Sequence, residues 1–486
     1  MQALAAPPPD VTLTGALSGK DQHAYREIPF RVPRGVKRIT VEIAHTGQDQ
    51  KTVLDVGLRD PQRFRGWSGG NKTRFTLSEE EATPSYLPGP LPAGVWRLLL
   101  GVANIRPATK AEWIARIWFD RTSVFQGFYR RPVKTGLAWY RGDLHMHTAH
   151  SDGTCASRRG VRVPCPVFKT LEAAEARGLD FIAVTDHNTT SQDEALRELA
   201  PYFDDLLLIP GREITTYAGH ANVFGPEGFI EFQLGTSRAP DFATIQAEAV
   251  KAGGLISINH PGLPSGEICM GCGWSAKADF AGVQAIEVEN GGALRASHGT
   301  DALSGLAFWE ARLNAGLRVT AIGGSDNHDA TLPPDEPSSV GYPTTVVHAP
   351  ELSEAAILAA IRAGHVFVDV TGSRDRLLEV TARDRGQEAE MGDALLAAEG
   401  STVAVRVHVA HAQGGRLVIS GDGLAARLEQ PGLTRAEETR EFTVVADGRA
   451  HWLRVDVRGP DGKLWLLGNP IYLNPSPAAR ANDKAR

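Results

Sequence analysis

Two histidines one residue apart mark the part of this sequence that is best suited to bind a metal ion. His145 and His147 stand in the segment 143–147, and Asp152 follows five residues later beyond a turn. Residues i and i+2 of a β-strand point to the same side, so both imidazoles can contact one ion at a strand end. The pattern indicates a metal site. The alternative is a polar loop that holds two unrelated histidines, and the rest of the chain decides between them.

Further histidines and acidic residues stand beside predicted strands later in the chain. In a parallel βα barrel the carboxyl ends of the strands share one face, so residues spread over about 180 positions can converge there. A single histidine after a strand is usually an ordinary surface residue, but six of the fifteen histidines occupy such positions, and coincidence does not account for that. The set beyond Asp152 is Asp186 and His187 after strand 181–185, Glu213 after strand 206–209, His220 before strand 221–224, His260 after strand 255–258, and Asp326 and His328 after strand 319–322.

These residue types are chemically matched to each other. Imidazole and carboxylate together suit zinc, manganese or iron, and a carboxylate can bridge two ions. We expect Asp143 to orient a histidine from behind, and Asp186 to do the same or to relay a proton. His150 is expected to be a loop or substrate-contact residue. The remaining histidines considered, which have no motif beside them, are interpreted as structural: His298, His348 and His365.

The segments around these residues predict three domains. Residues 136–374 alternate strands and helices, which implies parallel strands, and about seven such units favour a closed barrel over an open sheet. Residues 1–135 and 375–486 consist of short alternating strands punctuated by Gly and Pro, which indicates two antiparallel β-sandwiches, with a disordered tail from Pro475. The helices are predicted at 168–177, 191–200, 242–252, 303–315 and 354–363.

Composition excludes several classes of partner. The net charge of −6 recommends neither nucleic acid nor an anionic membrane, and no apolar run approaches the roughly 20 residues of a membrane span. Residues 1–9 are similar to what remains after a signal peptide is removed; a disordered cytoplasmic N-terminus is the alternative. The four cysteines favour two local disulfides over a four-thiolate zinc site or free thiols. We therefore expect a periplasmic or secreted protein, with a cytoplasmic location as the alternative.

With these histidines and carboxylates in this order, the sequence resembles the polymerase and histidinol phosphatase (PHP) superfamily over about residues 138–372. Flanking features, the pair Cys155 and Cys165 and the segment 268–274, are similar to the branch that includes carbamate-pesticide (carbaryl) hydrolases. The motifs of the superfamily occur in order: Asp143-Leu144-His145-Met146-His147 with Ser151-Asp152-Gly153, Thr185-Asp186-His187-Asn188, Glu213 with His220, Asn259-His260-Pro261, and Ser325-Asp326-Asn327-His328.

The resemblance implies an α/β fold, a distorted (β/α)7 barrel of PHP type, with two or three divalent metal ions. Asp152 stands where many members have a histidine, which keeps a ligand but changes the third ion's surroundings. By motif position, the implied ligands are His145, His147, Glu213 and Asp326 for the first ion, Glu213, His220 and His260 for the second with Glu213 bridging, and Asp152, His187 and His328 for the third.

The predicted reaction is metal-assisted hydrolysis. Two ions about 3.5–4 Å apart activate a water molecule and polarise the substrate, and a third ion suits the several oxygens of a phosphomonoester or phosphodiester. We assign catalytic roles to Glu213 and Asp186, and a small phosphorylated molecule as the substrate. Arg212 and Arg295 are candidate phosphate contacts, with ordinary surface salt bridges as the alternative. The rival activities are hydrolysis of carbamates, amides or carboxylic esters at the same metals and, more remotely, non-catalytic binding.

Overall fold

The structure is a computed structural model that describes residues 7–70, 72–121, 128–129, 131–267, 269–423, 426 and 428–475. The chain divides into two compact units, Met1–Gln126 and Gly127–Arg486. The predicted signal-peptide remnant lies outside the described residues up to position 6, and the predicted disordered tail does so from position 476. Within the described ranges, no helix is both long and apolar enough to cross a membrane.

The first unit is built from two four-stranded antiparallel sheets, with the orders β1-β8-β3-β6 and β2-β7-β4-β5. The alternation of buried and exposed side chains explains why these segments form strands with one face in the core. Along β8, Trp113, Ala115 and Ile117 are buried while the residues between them are more exposed. Apolar residues from both sheets form one core. The strands are β1 Val11–Ser18, β2 Tyr25–Val32, β3 Arg38–His45, β4 Val53–Arg59, β5 Phe64–Ser68, β6 Arg74–Ser78, β7 Gly94–Asn104 and β8 Lys110–Asp120.

The second unit begins with alternating strands and helices, as the sequence predicted, and the fold is mixed α/β with many more strands than helices. All five predicted helices are present, and α4 is an additional short one. The elements are β9 Lys134–Asp143, β10 Thr154–Ala156, β11 Arg162–Pro164, α1 Val167–Arg177, β12 Phe181–Val184, α2 Gln192–Leu199, β13 Leu207–Thr216, β14 Gly219–Phe224, α3 Phe242–Lys251, β15 Leu255–Ile258, β16 Ala285–Asn290, α4 Gly291–Ala296, α5 Leu306–Asn314, β17 Thr320–Gly324, β18 Thr344–Leu352, α6 Glu354–Ala363 and β19 Val366–Asp369.

The strands that carry the predicted ligands are neighbours in one sheet, in the order β17-β16-β15-β14-β13-β12-β9-β18-β19. The pairs β9–β12, β12–β13, β15–β16 and β16–β17 are parallel, as expected. The β14 strand departs from the expected repeat because it pairs antiparallel with both β13 and β15. A tight turn at Tyr217 and Ala218 leads directly from β13 into β14 and leaves no room for a helix.

This hairpin also corrects the expected position of Glu213. The sequence predicted a strand that ends at residue 209, with Glu213 in the loop after it. In the structure β13 continues to Thr216, because its second half pairs with β14 after its first half has paired with β12. Glu213 therefore lies within a strand, where backbone hydrogen bonds hold it more firmly than a loop would.

The first and last of the parallel strands approach each other beyond their carboxyl ends. The amide of Asp326 donates to the carbonyl of His145 at 2.8 Å, and the amide of His147 donates to the carbonyl of Asn327 at 2.8 Å. The close approach requires a glycine, since a Cβ atom on Gly324 would lie 2.5 Å from Cβ of His145. The two motifs that stand furthest apart in the sequence are thus brought side by side. The closed barrel of seven βα units stays a prediction.

The remaining strands continue the same unit. The pairing of β19 with β27 carries the sheet across position 374/375, where the sequence predicted a domain boundary. A second sheet has the order β21-β20-β23-β25. The strands are β20 Leu377–Asp384, β21 Gln387–Glu390, β22 Ala394–Leu395, β23 Thr402–Ala410, β24 Arg416–Gly421, β25 Glu437–Val445, β26 His451–Arg458, β27 Leu464–Gly468 and β28 Ile471–Leu473.

The four cysteines form the two local disulfides that the sequence favoured. Cys155 pairs with Cys165 across the β10–β11 hairpin, with Cα atoms 4.9 Å apart. Cys269 pairs with Cys272 in the loop after β15, with Cα atoms 5.5 Å apart. The alternatives of a four-thiolate zinc site and of free thiols are therefore wrong for this structure.

Candidate metal centre

Glu213 lies at the centre of a cluster of imidazoles and carboxylates and is 1% exposed. Asn259 donates a hydrogen bond to its Oε1 atom at 2.9 Å, which holds the carboxylate in place. The ring nitrogens that face it are Nε2 of His145 and of His260 at 3.4 Å, Nδ1 of His220 at 3.3 Å, Nδ1 of His187 at 2.6 Å and Nε2 of His147 at 3.8 Å. One carboxylate therefore faces five of the six predicted histidine ligands.

Asp326 is the second carboxylate of the cluster. Its Oδ1 atom lies 3.3 Å from Nε2 of His145, 3.2 Å from Nε2 of His147 and 3.6 Å from Nδ1 of His328. The backbone of Asp326 has φ of 50°, and that of His260 has φ of 29°. Such left-handed conformations cost energy in residues other than glycine, and they persist where the surrounding structure holds a functional residue in place.

Asp152 lies at the exposed side of the cluster. Its Oδ1 atom is 3.6 Å from Nε2 of His187 and 3.3 Å from Nε2 of His328. The side chain of Asp152 is 60% exposed and that of His328 is 38% exposed, whereas those of His145 and His147 are at most 1% exposed. The cluster therefore runs from a closed interior to an open mouth.

All nine predicted metal ligands thus meet in one place. Their ligand atoms form overlapping sets within 4.8 Å, and the sets share members. The sets are His145 with His147 and Asp326, His145 with Glu213 and His260, and His147 with Asp152, His187 and His328; Cys272 lies beside His220 and His260. The sets overlap with the three ligand groups expected from the sequence but differ from each of them. Glu213 is absent from the first set, His145 takes the place of His220 in the second, and His147 is added to the third.

The buried atoms of the cluster fit a metal ion better than they fit each other. Nε2 of His145, Nδ1 of His147 and Nδ1 of His260 are buried and have no hydrogen-bond partner among the described residues. Ligands about 2.0–2.2 Å from an ion lie about 3.3–3.6 Å apart in tetrahedral geometry. The 3.3 and 3.4 Å separations between Nε2 of His145 and its two carboxylate neighbours match that spacing. Divalent ions such as zinc, manganese or iron suit this donor set.

The imidazoles keep the two buried carboxylates ionised. Burial alone raises the pKa of Glu213, but His145 and His187 outweigh burial and hold that pKa well below its usual range. Burial has the same effect at Asp326, where His145, His147 and His328 hold the pKa well below its usual range. Both carboxylates are therefore charged at neutral pH, as metal ligands must be.

The neighbouring carboxylates raise the pKa of His145, whereas burial dominates at His147 and lowers its pKa. Burial lowers the pKa of His145, but Glu287, Asp326 and Glu213 outweigh it and raise the pKa well above its usual value. Burial and the neighbouring His328 instead lower the pKa of His147 to about 4, so this imidazole is neutral at neutral pH. The cluster without ions therefore holds protons that bound cations would displace.

Two acidic residues expected to support the histidines prove to hold backbone instead. Asp143 accepts from the amides of His145 at 3.2 Å, Ser325 at 2.9 Å and Gly341 at 2.7 Å, so its carboxylate positions His145 through the backbone and not through the imidazole ring. Asp186 accepts from the amide of Thr148 at 2.7 Å and from its hydroxyl at 2.6 Å. These contacts position the turn after His147, and the catalytic role of Asp186 stays a prediction.

Glu287 is a supporting residue that the sequence reasoning missed. Its Oε1 atom lies 2.9 Å from Nδ1 of His145, and its Oε2 atom accepts from the amide of His260 at 2.9 Å. Because a carboxylate can only accept, Nδ1 of His145 carries a hydrogen that it donates to Glu287, and Nε2, which faces Glu213 and Asp326, is the nitrogen that can exchange its proton for an ion. An acidic residue in the apolar strand 284–288 was the available signal, since such a residue is rarely buried without a partner.

Of the two arginines proposed as phosphate contacts, Arg212 is engaged elsewhere, and the role of Arg295 stays a prediction. Arg212 is 1% exposed, and its guanidinium donates to the carbonyls of Pro226 and Gly228. Arg295 is exposed on α4. Nδ1 of His150, which was expected in a loop, lies 2.8 Å from Oγ of Ser191, and the side chain is partly exposed. The correction for Arg212 follows from strand alternation, which points it away from the side that Glu213 occupies.

The solved structures that are weakly similar to this chain include the following two. One is a two-domain protein from Bacteroides vulgatus that contains a predicted PHP-like metal-dependent phosphoesterase, with 20% identity, a TM-score of 0.37, and coverage of 68% of this chain and 96% of that one. The other is an amidohydrolase from Chromobacterium violaceum with bound sulfate, with 19% identity, a TM-score of 0.26, and coverage of 38% of this chain and 87% of that one. No protein-family model and no curated protein matches. Support for a metal centre therefore comes from the geometry of this chain's own residues.

Proposed function

We propose that this protein is a metal-dependent hydrolase of the PHP type that cleaves phosphoesters with two or three divalent ions. The observation that supports this most strongly is that Glu213 faces five imidazoles within 3.8 Å. A buried carboxylate in that position would hold divalent ions together with the imidazoles around it. The proposal includes the finer architecture, a seven-stranded (β/α) barrel over residues 136–374 between β-sandwiches at 1–135 and 375–486.

When bound, divalent ions would lower the pKa of a water molecule and polarise the scissile bond. The residues of this chain would hold the ions and fix the orientation of the side chains that bind them. Glu213 and Asp326 would hold ions in the buried interior, and Glu287 would fix His145 with Nε2 free to bind. Asp152, His187 and His328 would hold a third ion at the mouth, where a substrate enters.

Phosphoesters are the favoured substrate class because of how the ligand sets overlap. His147 belongs to both an inner set and the outer set, so ions held by the two sets would lie close together. A phosphoryl group presents several negative oxygens that adjacent cations can share. The positive charge for such a substrate would come from the ions, since Arg212 is occupied by carbonyl groups.

Hydrolysis of carbamates, amides or carboxylic esters is the second candidate. It is favoured by the loop that contacts His220, where Met270 is 67% exposed and offers an apolar surface beside the cluster. The branch resemblance in the segment 268–274 points the same way. A neutral aryl substrate would use this surface, whereas a phosphomonoester would not need it.

An activity panel separates the two candidates. The protein is reconstituted with manganese or zinc and assayed with p-nitrophenyl phosphate, bis(p-nitrophenyl) phosphate, an aryl acetate and an aryl carbamate. We expect turnover of at least one phosphoester that disappears with a chelator. Turnover of the carbamate or acetate alone would overturn the phosphoesterase proposal and leave the metal-dependent hydrolase in place.

Export to the periplasm or outside the cell belongs to the same proposal. Two disulfides support it, because such bonds persist in oxidising compartments. Non-reducing mass spectrometry of protein recovered from the periplasm of an expression host would show four fewer hydrogens than the reduced chain. Full-length protein with free thiols in that fraction would contradict it.

A further inference from the structure

The loop closed by the second disulfide, residues 269–272, lies against His220. The carbonyl oxygen of Met270 is 3.2 Å from Nε2 of His220. A carbonyl can only accept a hydrogen bond, so Nε2 carries the hydrogen and Nδ1 carries the lone pair. That Nδ1 atom lies 3.3 Å from Oε1 of Glu213, on the side where an ion would be held. The loop thus selects the tautomer of His220 that can bind a metal.

The loop packs closely against His220 and the end of β13. Gly271 has φ of +89°, and a Cβ atom there would lie 2.1 Å from the carbonyl oxygen of Thr216 and 3.1 Å from Nε2 of His220. Its amide donates to Oγ of Ser265 at 3.0 Å, which anchors the loop. The position of the Met270 carbonyl therefore depends on the backbone path that the disulfide closes.

The disulfide also controls a potential competing ligand. Cys272 is fully buried, and its Sγ atom lies within 4.8 Å of one ring nitrogen of His220 and one of His260. Sulfur that is bonded to sulfur is not a thiolate and is a poor metal ligand. Cys269 is only partly buried, so a reductant can reach the bond from its side.

We propose that the Cys269–Cys272 disulfide is a redox-sensitive clamp that positions His220, so that reduction weakens the binding of one metal ion. This inference rests on the proposed function, because it takes His220 to be a ligand. On reduction by a dithiol, the S–S bond breaks and each sulfur gains one hydrogen. The dithiol loses both hydrogens and closes its own disulfide. The loop then loses its closure, and the hydrogen bond that fixes the tautomer of His220 loosens.

The test measures how many metal ions the protein retains and does not depend on its catalytic activity. The full chain is loaded with Mn²⁺, an ion with little preference for sulfur, and equilibrated with a competing chelator. The comparison is between the oxidised protein, the dithiol-reduced protein after removal of the reagent without air, and the double variant Cys269→Ser/Cys272→Ser. Loss of a hydrogen bond to a metal-binding histidine costs about 10- to 100-fold in affinity. We expect that loss for one ion in both altered proteins, with the remaining ions unchanged.

Matched controls separate a clamp from general destabilisation. The double variant Cys155→Ser/Cys165→Ser removes the other disulfide and should leave the ion at His220 in place. Met270→Ala keeps the backbone carbonyl and should do the same. Loss of all ions at once with a changed circular dichroism spectrum in the 269/272 variant would overturn the clamp, because it would show unfolding.

The outcomes distinguish this inference from the function on which it rests. If the oxidised wild-type chain retains no Mn²⁺, the proposed metal centre itself is wrong. If it retains its ions and neither reduction nor the Cys269→Ser/Cys272→Ser variant changes any affinity, only the clamp is wrong. A thiolate-to-cobalt charge-transfer band in the reduced, Co²⁺-loaded protein, together with tighter binding, would also overturn the clamp and make Cys272 a ligand.

Discussion

The inner and outer parts of the candidate metal centre are built differently from the same residue types. The inner part consists of side chains such as His145, Glu213 and His260, which are at most 2% exposed. The outer part consists of Asp152 and His328, which are 60% and 38% exposed, with His187 between the two parts. Water can satisfy the outer polar atoms, but it does not reach the inner ones. We therefore expect the inner part to depend on bound ions more strongly than the outer part does.

This difference in exposure indicates which metal ions should bind tightly. Within the cluster, the buried nitrogens that have no hydrogen-bond partner among the described residues belong to His145, His147 and His260, and burial strengthens electrostatic attraction to a cation. The exposed carboxylate of Asp152 attracts a cation against competing water and salt. We expect inner ions that survive purification and an outer ion that exchanges with solvent. The predictions below run from the largest expected effect to the smallest.

Glu213→Gln should have the largest effect. The amide cannot bridge two ions and leaves the surrounding imidazoles without their central negative charge. We expect at least one ion per chain to be lost and hydrolysis to fall by about 10³-fold, a loss typical for removal of central electrostatic stabilisation. Elemental analysis and a steady-state assay measure both. Glu289→Gln, a buried substitution of the same kind on β16, is the matched control and should keep every ion.

Glu287→Gln should have an intermediate effect on the inner part. It weakens the hydrogen bond from Nδ1 of His145 without removing a ligand. Removal of such a partner costs about 10- to 100-fold in metal affinity or activity. Chelator titration of the Mn²⁺-loaded protein measures the change. Unchanged affinity would show that His145 is held by packing alone.

Asp152→Asn should affect the outer part only. We expect the outer ion to bind more weakly by about tenfold while the inner ions stay bound, because screening by solvent limits the contribution of an exposed carboxylate. A titration that resolves the ions, such as calorimetry with Mn²⁺, measures this. If the inner ions also dissociate, the division into two parts is wrong.

Substitution of Glu289 should have the smallest effect. Glu289 is buried like Glu213, but its pKa is raised, whereas that of Glu213 is lowered. Burial, with a contribution from Asp301, raises its pKa to about 8 from the ordinary 4.5, and its Oε1 atom has no hydrogen-bond partner among the described residues. The folded state therefore binds a proton that the unfolded state has released above about pH 4.5. Its contribution to stability is present below that pH and is lost as the pH rises through about 8.

The substitution Glu289→Gln removes this titration. We expect the variant to melt about 2–4 °C above the wild type at pH 9 and the difference to shrink towards pH 5. Thermal unfolding at both pH values measures it, with the exposed Glu441→Gln as the control. A difference that grows at low pH would have the wrong sign and would show that Glu289 is ionised in the folded protein.

The sequence predicted the site better than it predicted the fold around it. Histidines and carboxylates at strand ends are visible as residue types, so all nine candidate ligands could be named and all nine meet. The antiparallel β13–β14 hairpin was missed because an apolar run does not reveal the direction of its partner strand. Glu287 and Asn259 were missed as supporting residues because their partners lie on other strands, and one sequence does not show which strands are adjacent.

The most direct test of the account is the number of metal ions bound by the purified wild-type chain. The protein is purified without chelators, loaded with Mn²⁺ or Zn²⁺, dialysed, and analysed by inductively coupled plasma mass spectrometry. We expect about two ions per chain after dialysis and a third when excess metal is present. A content near zero after loading, from protein with an intact circular dichroism spectrum, would contradict the central claim that this cluster exists to hold cations.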